Sequence, residues 1–171
     1  VTFQWREGNT FRVLELLNAH VIEAGIVRLP VDENSYAIKP LVTEPWVAVV
    51  RVPEQDARPA QIALKDLAQQ PLLLMQRQQG IFWHDMVWDA LRAAEVEPTV
   101  FCESDNVMAL LTLVELGLGA AIVPRSAAAL KSGPQLHTME ISDCKLESDV
   151  AIVWLKNQRL SAPAKAFLEM F

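Results

Sequence analysis

Residues that could contact a small anion, most of them polar, follow several strand-like runs of the sequence. They are Asn9 and Thr10 after the first run, Arg28 after the second, Gln76, Gln78, Gln79, Gly80, Ile81, Phe82 and Trp83 after the third, and Ser104 and Asp105 after the fourth. Open parallel sheets bind ligands beyond the carboxyl ends of their strands, where loops meet helix N-termini. Amide and hydroxyl groups beside such helix ends, with an arginine nearby, favour a carboxylate. These residues form the predicted ligand-binding set.

Each part of this set also has a purely structural explanation. Asn9–Thr10 and Ser104–Asp105 are good helix N-caps, and capping alone would account for them. Arg28 could be a surface charge, and the glutamine run could be a solvated turn. Trp83 opens an amphipathic helix, where its ring is more typical of a core residue than of a ligand stack. Both explanations stay open at the level of the sequence.

Patterns for catalysis and for metal binding are weak. The sequence contains neither HExxH nor GxSxG. His84 and Asp85 are neighbours on a predicted helix and should point to different sides, so adjacency does not make them a dyad. The histidines share no ligand spacing with one another or with the cysteines, which argues against zinc. We therefore predict a protein that is not an enzyme and that binds neither a metal nor a cofactor.

The stretch VELGLGAAIVPRS, residues 114–126, contains a glycine pair that resembles a phosphate loop. A phosphate loop follows a strand and opens a helix, because helix N-terminal amides must face the anion. Here the order is reversed, since the apolar run 107–111 comes before the glycines and the β-like run 121–123 comes after them. Gly117 is predicted to cap a helix C-terminus and Gly119 to enter a strand. The segment indicates a buried joint between a helix and a strand of a parallel sheet.

Composition excludes several classes of protein. The 171 residues are 51% hydrophobic and 21% charged, as in globular proteins with a sizeable core. A net charge of −6 argues against a nucleic-acid surface, which needs clustered Lys and Arg. No apolar run approaches the roughly 18 residues of a membrane span. The start VTFQWREGNT lacks a signal-peptide pattern, and Cys102 and Cys144 form no CxxC pair, so we expect a reduced, cytoplasmic chain.

Hydrophobic periodicity predicts two β-α-β units, which are typical of parallel sheets with covering helices. The first has strands at Val1–Trp5 and 25–27 around a helix that starts near Thr10. The second has strands at Thr99–Cys102 and 119–123 around a helix that starts near residue 106. A buried strand over 71–75 and an amphipathic helix over 83–94 lie between the two units.

The C-terminal segment is predicted to contain a strand over 150–154 and a helix capped by Ser161. Pro163 suits the first turn of that helix. Four apolar residues of the segment share helical spacing and should face inward, namely Ala164, Phe167, Leu168 and Phe171.

Two extended stretches, residues 44–50 and 136–141, do not fit a simple series of β-α units. Each lies where one series stops and another begins, so we interpret both as crossings between two lobes. The predicted fold is α/β, with two Rossmann-like lobes joined by two crossover strands. The first lobe would contain residues 1–45 and 141–171, the second residues 51–135, and the hinges residues 46–50 and 136–140.

Several motifs together carry a family resemblance over essentially the whole chain. They are REGNTFRVLELLNAHVIEAGIVRLP at 6–30, EPWVAV at 44–49, LKDLA at 64–68, AAEVEP at 93–98 and LVELGLGAAIVP at 113–124. The sequence resembles the effector-binding domain of LysR-type transcriptional regulators. It departs from that pattern at Glu23-Ala24-Gly25, where the family usually has aspartate two residues before the glycine.

The resemblance implies a periplasmic-binding-protein-like fold of type II, with an effector in the cleft between the lobes. It assigns effector contacts to Thr10, Arg28 and residues 80–83. Val42 stands where some aromatic-acid responders carry an arginine, which weakens the case for that effector class. Family members begin this domain with one further β-α unit, which the sequence lacks, and we expect that it was trimmed.

The function implied by the resemblance is effector sensing by a transcription regulator. DNA would be bound only through an N-terminal helix-turn-helix domain outside this chain, in a homodimer or homotetramer without membrane contact. The alternative is a solute-binding protein of a transport system with the same fold. An enzyme on this fold would require a polar cluster with shifted pKa values, and the sequence nominates none.

Overall fold

The computed structural model describes residues 4–53, 59–77, 83–131, 133 and 135–171. They form two compact units. Unit 1 contains the described residues of 1–43 and 148–171, and unit 2 those of 44–77 and 83–147. The predicted lobe boundaries and hinges stay predictions. No described helix is long and apolar enough to cross a membrane.

Unit 1 contains two helices and parts of three sheet strands, of which β1 and β8 pair antiparallel. Its elements are α1 (Thr10–Asn18), β1 (Gly25–Arg28), the first half of β2 (Tyr36–Arg51), most of β8 (Glu147–Leu155) and α6 (Ala162–Leu168). The strand order is β1-β8-β2, and Ile26 pairs with Ile152 across the β1–β8 ladder. Helix α1 begins where predicted, because the side chain of Asn9 accepts a hydrogen bond from the Arg12 amide at 2.8 Å.

The core of unit 1 is built from the buried stripe of α1 and from the strands beneath it. Val13 and Leu17 of the helix pack with Val27, Tyr36 and Val153. Their spacing of four residues places both helix side chains on one face, as the periodicity predicted. This packing fixes the first turn of α1 against the end of β1.

Two predictions for unit 1 are wrong. Residues 4 and 5 are not in a strand and Trp5 is 72% exposed, while residues 1–3 of that predicted strand lie outside the described residues. Ser161 does cap α6, since its hydroxyl accepts from the Ala164 amide. However, Phe171 is 56% exposed, because the helix ends at Leu168 and its periodicity does not extend that far. Ala164, Phe167 and Leu168 are half-buried.

Unit 2 is a mixed sheet with helices packed against it. Its elements are the second half of β2, β3 (Gln61–Ile62), α2 (Leu64–Leu67), β4 (Leu72–Met75), α3 (Trp83–Ala93), β5 (Val100–Ser104), α4 (Val107–Glu115), β6 (Ala120–Pro124), α5 (Arg125–Leu130) and β7 (Leu136–Ile141). The strand order is β2-β6-β4-β5, and β4 runs parallel to both of its neighbours. Strand β7 pairs antiparallel with β2 and parallel with β3.

The parallel part of this sheet confirms the predicted β-α-β pattern. Because β4, β5 and β6 run in the same direction, their carboxyl ends meet at one edge. Strand β2 is antiparallel to β6, and Trp46 pairs with Pro124, so β2 enters at that same edge. We call it the carboxyl edge of unit 2.

The joint around Gly117 and Gly119 is the predicted connection from helix to strand. Helix α4 ends at Glu115, Leu116 is the cap residue, and Gly117 follows with φ +80. Gly119 has φ +153, and a Cβ there would lie 2.1 Å from the carbonyl oxygen of Pro71. That oxygen accepts a hydrogen bond from the Ala120 amide at 2.9 Å, which brings β6 alongside β4. The glycine therefore permits a close approach of β6 to β4.

Candidate ligand-binding site

Unit 1 brings Thr10 and Arg28 together. Thr10 lies in the first turn of α1 and is only 8% exposed. Its hydroxyl oxygen accepts a hydrogen bond from the Arg28 amide at 3.3 Å. Arg28 is the last residue of β1, and its Nη1 donates to the hydroxyl of Ser148 at 2.7 Å. Residues distant in sequence thus form a polar corner, which we call the Arg28 corner: Asn9, Thr10, Arg28 and Ser148.

The Arg28 corner has the chemistry of a carboxylate site. An arginine presents several donors in a planar fork, and a hydrogen bond from that fork to Ser148 restricts its orientation. The Thr10 hydroxyl accepts from the Arg28 amide and keeps its own hydrogen for donation. Asn9 is the N-cap of α1. Its side-chain carbonyl oxygen accepts a hydrogen bond from the Arg12 amide, which is the structural role that the sequence predicts for it.

Ser148 is a member of this corner that sequence reasoning missed. It lies near the start of β8, 120 residues after Arg28. Its position beside Arg28 follows from the antiparallel register of β1 and β8, in which Arg28 pairs with Val150. No local motif carries that register.

The carboxyl edge of unit 2 brings Gln76 and Ser104 together. Met75 and Ser104 are register partners in the parallel β4–β5 ladder, and the Gln76 amide donates to the Ser104 carbonyl oxygen at 2.9 Å. Asp105 follows and is exposed. Two polar side chains of the predicted set therefore leave adjacent strand ends, as expected from parallel strands.

The prediction that Ser104 or Asp105 caps α4 is wrong, because the cap residue lies one or two positions later in the chain. Asn106 is the N-cap of α4, and its carbonyl oxygen accepts from the amides of Met108 and Ala109 at 3.0 and 3.2 Å. The Ser104 hydroxyl instead accepts from the Asn106 amide at 3.1 Å. Capping therefore does not require Asp105.

The rest of the predicted set divides in two. Gln78, Gln79, Gly80, Ile81 and Phe82 lie outside the described residues. Trp83 is 9% exposed and packs against Trp46, with 6.3 Å between ring centroids. It lines a small pocket of about 10 Å³, room for a single water, together with residues of α3, β4 and β6. The core interpretation of Trp83 is therefore supported.

A histidine cluster at the start of α3 corrects the prediction for His84. Its Nδ1 lies 3.3 Å from a carboxylate oxygen of Asp85, and its Nε2 lies 3.2 Å from Glu103 and 2.9 Å from Nε1 of Trp88. Successive Cβ atoms diverge on a helix, but these side chains are long enough to converge in its first turn. Glu103 joins them because β5 lies beside the strand that precedes α3.

Charges at the carboxyl edge of unit 2 are largely paired. The hydrogen bond from His84 lowers the pKa of Asp85 below its usual value, and the charge of Arg77, 3.2 Å away, lowers it further. Arg125 pairs with Glu140. The buried carboxylate of Glu44 accepts a hydrogen bond from the Ser126 amide. Both arginines named here are thus engaged by carboxylates.

Metal binding finds no basis in the part of the chain that the structure describes. No group of three or more His, Cys, Asp or Glu residues there is arranged to hold a metal ion.

Comparison with known proteins decides the family. The model of the LysR substrate binding domain matches residues 1–171. The chain belongs to this family. This LysR substrate-binding domain is 27% identical over 173 residues to the regulator BsdA of Bacillus subtilis (strain 168), covering 100% of the chain and 59% of BsdA. It is 30% identical over 164 residues to the regulator TfdS of Cupriavidus pinatubonensis, covering 93% of the chain and 53% of TfdS.

Solved structures agree with this assignment. Corynebacterium glutamicum OxyR, as a C206 mutant, matches with a TM-score of 0.71 and 26% identity over 95% of the chain and 50% of OxyR. The effector-binding domain of QuiR, solved in complex with shikimate, matches with a TM-score of 0.75 and 20% identity over 95% of the chain and 76% of that domain. The mixed α/β fold is that of LysR effector-binding domains, in the periplasmic-binding-protein type II class. The relatives named are transcription regulators, so the transport alternative is not favoured. The chain spans little more than half the length of BsdA and TfdS.

Proposed function

We propose that this LysR substrate-binding domain senses a small organic anion on behalf of a transcription regulator. The ligand would contact the Arg28 corner and change the geometry of a DNA-bound homodimer or homotetramer. Such a change requires that the ligand bind one arrangement of the domain more tightly than another. DNA contact would come from a helix-turn-helix domain outside this chain. The regulator would act in the cytoplasm, without an enzymatic activity, a cofactor or a membrane.

The observation that carries this proposal is the Arg28 corner within a chain of this family. A guanidinium oriented by Ser148 and a threonine hydroxyl at a helix N-terminus are complementary to a carboxylate. We therefore propose an effector with a carboxylate group.

Ligand binding can be tested by thermal-shift screening of the domain against small organic acids with and without hydroxyl groups. A true effector raises the melting temperature by mass action, equivalent to about 2.7 kcal/mol at 100 times its Kd. Arg28→Ala should weaken binding by about 10- to 150-fold, since hydrogen bonds to charged groups contribute about 1.5–3 kcal/mol. The Kd of each variant would be measured by isothermal titration calorimetry.

Matched substitutions separate the site from general effects. Arg12→Ala removes an arginine that pairs with Glu15 on the exposed side of α1, and it should leave the Kd within about twofold. Equal affinity of the Arg28 and Arg12 variants would refute the carboxylate site. Stabilisation by neutral compounds but by no acid would refute the ligand class.

The regulator and the transporter make different demands on the gene. A regulator requires that the coding sequence upstream of Val1 encode a helix-turn-helix domain. A transport protein requires an apolar secretion signal there. Reading that sequence decides between the two, and a secretion signal would overturn the proposed function.

A further inference from the structure

His84 faces two groups that make opposite demands on one nitrogen atom. The indole Nε1 of Trp88 lies 2.9 Å from His84 Nε2, and a carboxylate oxygen of Glu103 lies 3.2 Å from the same atom. An indole N–H only donates a hydrogen bond, whereas an ionised carboxylate only accepts one. Nε2 carries either a lone pair or a hydrogen in the ring plane. It therefore cannot satisfy both partners at once.

The other ring nitrogen of His84 makes no such conflict. Nδ1 lies 3.3 Å from Asp85 Oδ1 and can donate to it whether the ring is neutral or charged. Asp85 therefore fixes the neutral tautomer with the hydrogen on Nδ1, which leaves the lone pair of Nε2 for Trp88. Protonation then adds a hydrogen at Nε2, and the Glu103 carboxylate, 3.2 Å away, can accept a hydrogen bond from it.

We propose that protonation of His84 exchanges its hydrogen-bonding partner in unit 2, from Trp88 to Glu103. The neutral ring accepts from the Trp88 indole, on the same helix. When the ring takes up a proton from solvent at Nε2, the new N–H donates a hydrogen bond to the Glu103 carboxylate on β5. The Trp88 indole then loses its acceptor. One proton thus replaces a contact within α3 by a contact between α3 and β5. The proposal does not depend on effector binding.

The charges around His84 come from three elements. Asp85 on α3 and Glu103 on β5 stabilise a positive ring, whereas Arg77, which follows β4 and pairs with Asp85, opposes it. The pocket beside the ring is otherwise lined by apolar or aromatic residues of β2, β4, β6 and α3: Trp46, Leu74, Met75, Ile122, Trp83, Val87 and Trp88. The His84 side chain is 14% exposed, so its protons can exchange with solvent.

The exchange can be observed by NMR on the whole chain between about pH 5 and 8, the range in which histidine side chains usually change charge. The Trp88 indole resonance is assigned from its loss in Trp88→Phe. We expect this resonance to move with the same midpoint as the ring protons of His84. A Trp88 indole that stays unchanged while His84 titrates would overturn the proposal.

Three variants complete the test. His84→Gln should abolish the pH response of the Trp88 indole. His137→Gln is the control and should retain this response, because His137 is hydrogen-bonded to the Pro59 carbonyl oxygen and not to Trp88. Glu103→Gln removes the charged acceptor, so the Nε2–H resonance of the charged ring should shift relative to that of the parent. A response that persists in His84→Gln, or an unshifted Nε2–H resonance in Glu103→Gln, would refute the exchange. Because Glu103 is 38% exposed at its side chain, its substitution also provides a test in a variant that should remain folded.

Discussion

Replacing Gly119 by alanine should destabilise unit 2 by about 2–4 kcal/mol. A side chain at φ +153 stores about 1–3 kcal/mol of backbone strain. The new Cβ would also lie 2.1 Å from the Pro71 carbonyl oxygen, so the backbones must separate. Separation breaks the bond from the Ala120 amide to that oxygen, at a cost of about 1 kcal/mol. The sum reduces the folded-to-unfolded ratio by a factor of about 30 or more.

Urea unfolding together with amide hydrogen exchange would measure this effect. Exchange is needed because the chain has two compact units and one transition need not report on both. The amides of Ala120 and Ala121 should lose protection, while those of α1 should keep it. Comparing these two sets of amides locates the loss of stability at the connection between α4 and β6.

Gly133→Ala is the matched control. A Cβ there would approach the Glu115 side chain at 3.4 Å, an ordinary contact. That variant should differ from the parent by no more than about 0.5–1 kcal/mol, because its main effect is that alanine restricts the unfolded chain. If Gly119→Ala unfolds at the same urea concentration as Gly133→Ala, the close approach of β6 to Pro71 is refuted.

Two further predictions concern individual ionisable groups. Hydrogen bonds from the Ser35 hydroxyl and the Asn34 amide lower the pKa of Asp32 below its usual 3.8. Its folded-state pKa is depressed, so the stability it contributes is present above the unfolded value and is lost as the pH falls through the folded pKa, below about pH 4. Carboxyl-carbon NMR should give Asp32 a midpoint under 3.8, and a midpoint at or above that value would contradict the hydrogen bonds. Burial raises the pKa of the Cys144 thiol above its usual 9.0, and the neighbouring charge of Asp143 raises it further. Iodoacetamide should therefore label Cys144 more slowly at pH 8 than it labels a small free thiol, with acceleration above about pH 9; labelling at the rate of the free thiol, measured by mass spectrometry, would contradict this environment.

Local patterns predicted those parts of the fold whose causes are local. The start of α1 could be predicted because Asn9 caps an amide three residues away. The order helix, glycine, strand around Gly119 could be predicted because helical periodicity ends at a residue type that tolerates positive φ. The helix over 162–168 followed from Ser161 in the same way, but its end did not, which is why Phe171 was wrongly placed inside.

The candidate site shows the opposite case. Thr10 and Arg28 were selected because each follows a strand or opens a helix, and the structure brings them together. Ser148 carries no such signal, since the register of β1 on β8 places it beside Arg28. Glu103 meets His84 because β5 pairs with β4, the strand that precedes α3, a contact that the positions of the two residues in the sequence do not reveal.

The sequence by itself determined most of the predicted helices and strands, the capping residues Asn9 and Ser161, and the motifs of the family, because hydrogen bonds within a few residues and apolar periodicity set those features. Only the tertiary structure decided which polar groups share a site and which of them are engaged. Those contacts depend on strand register and on packing between elements distant in the chain, and their free energies arise only once the elements are assembled.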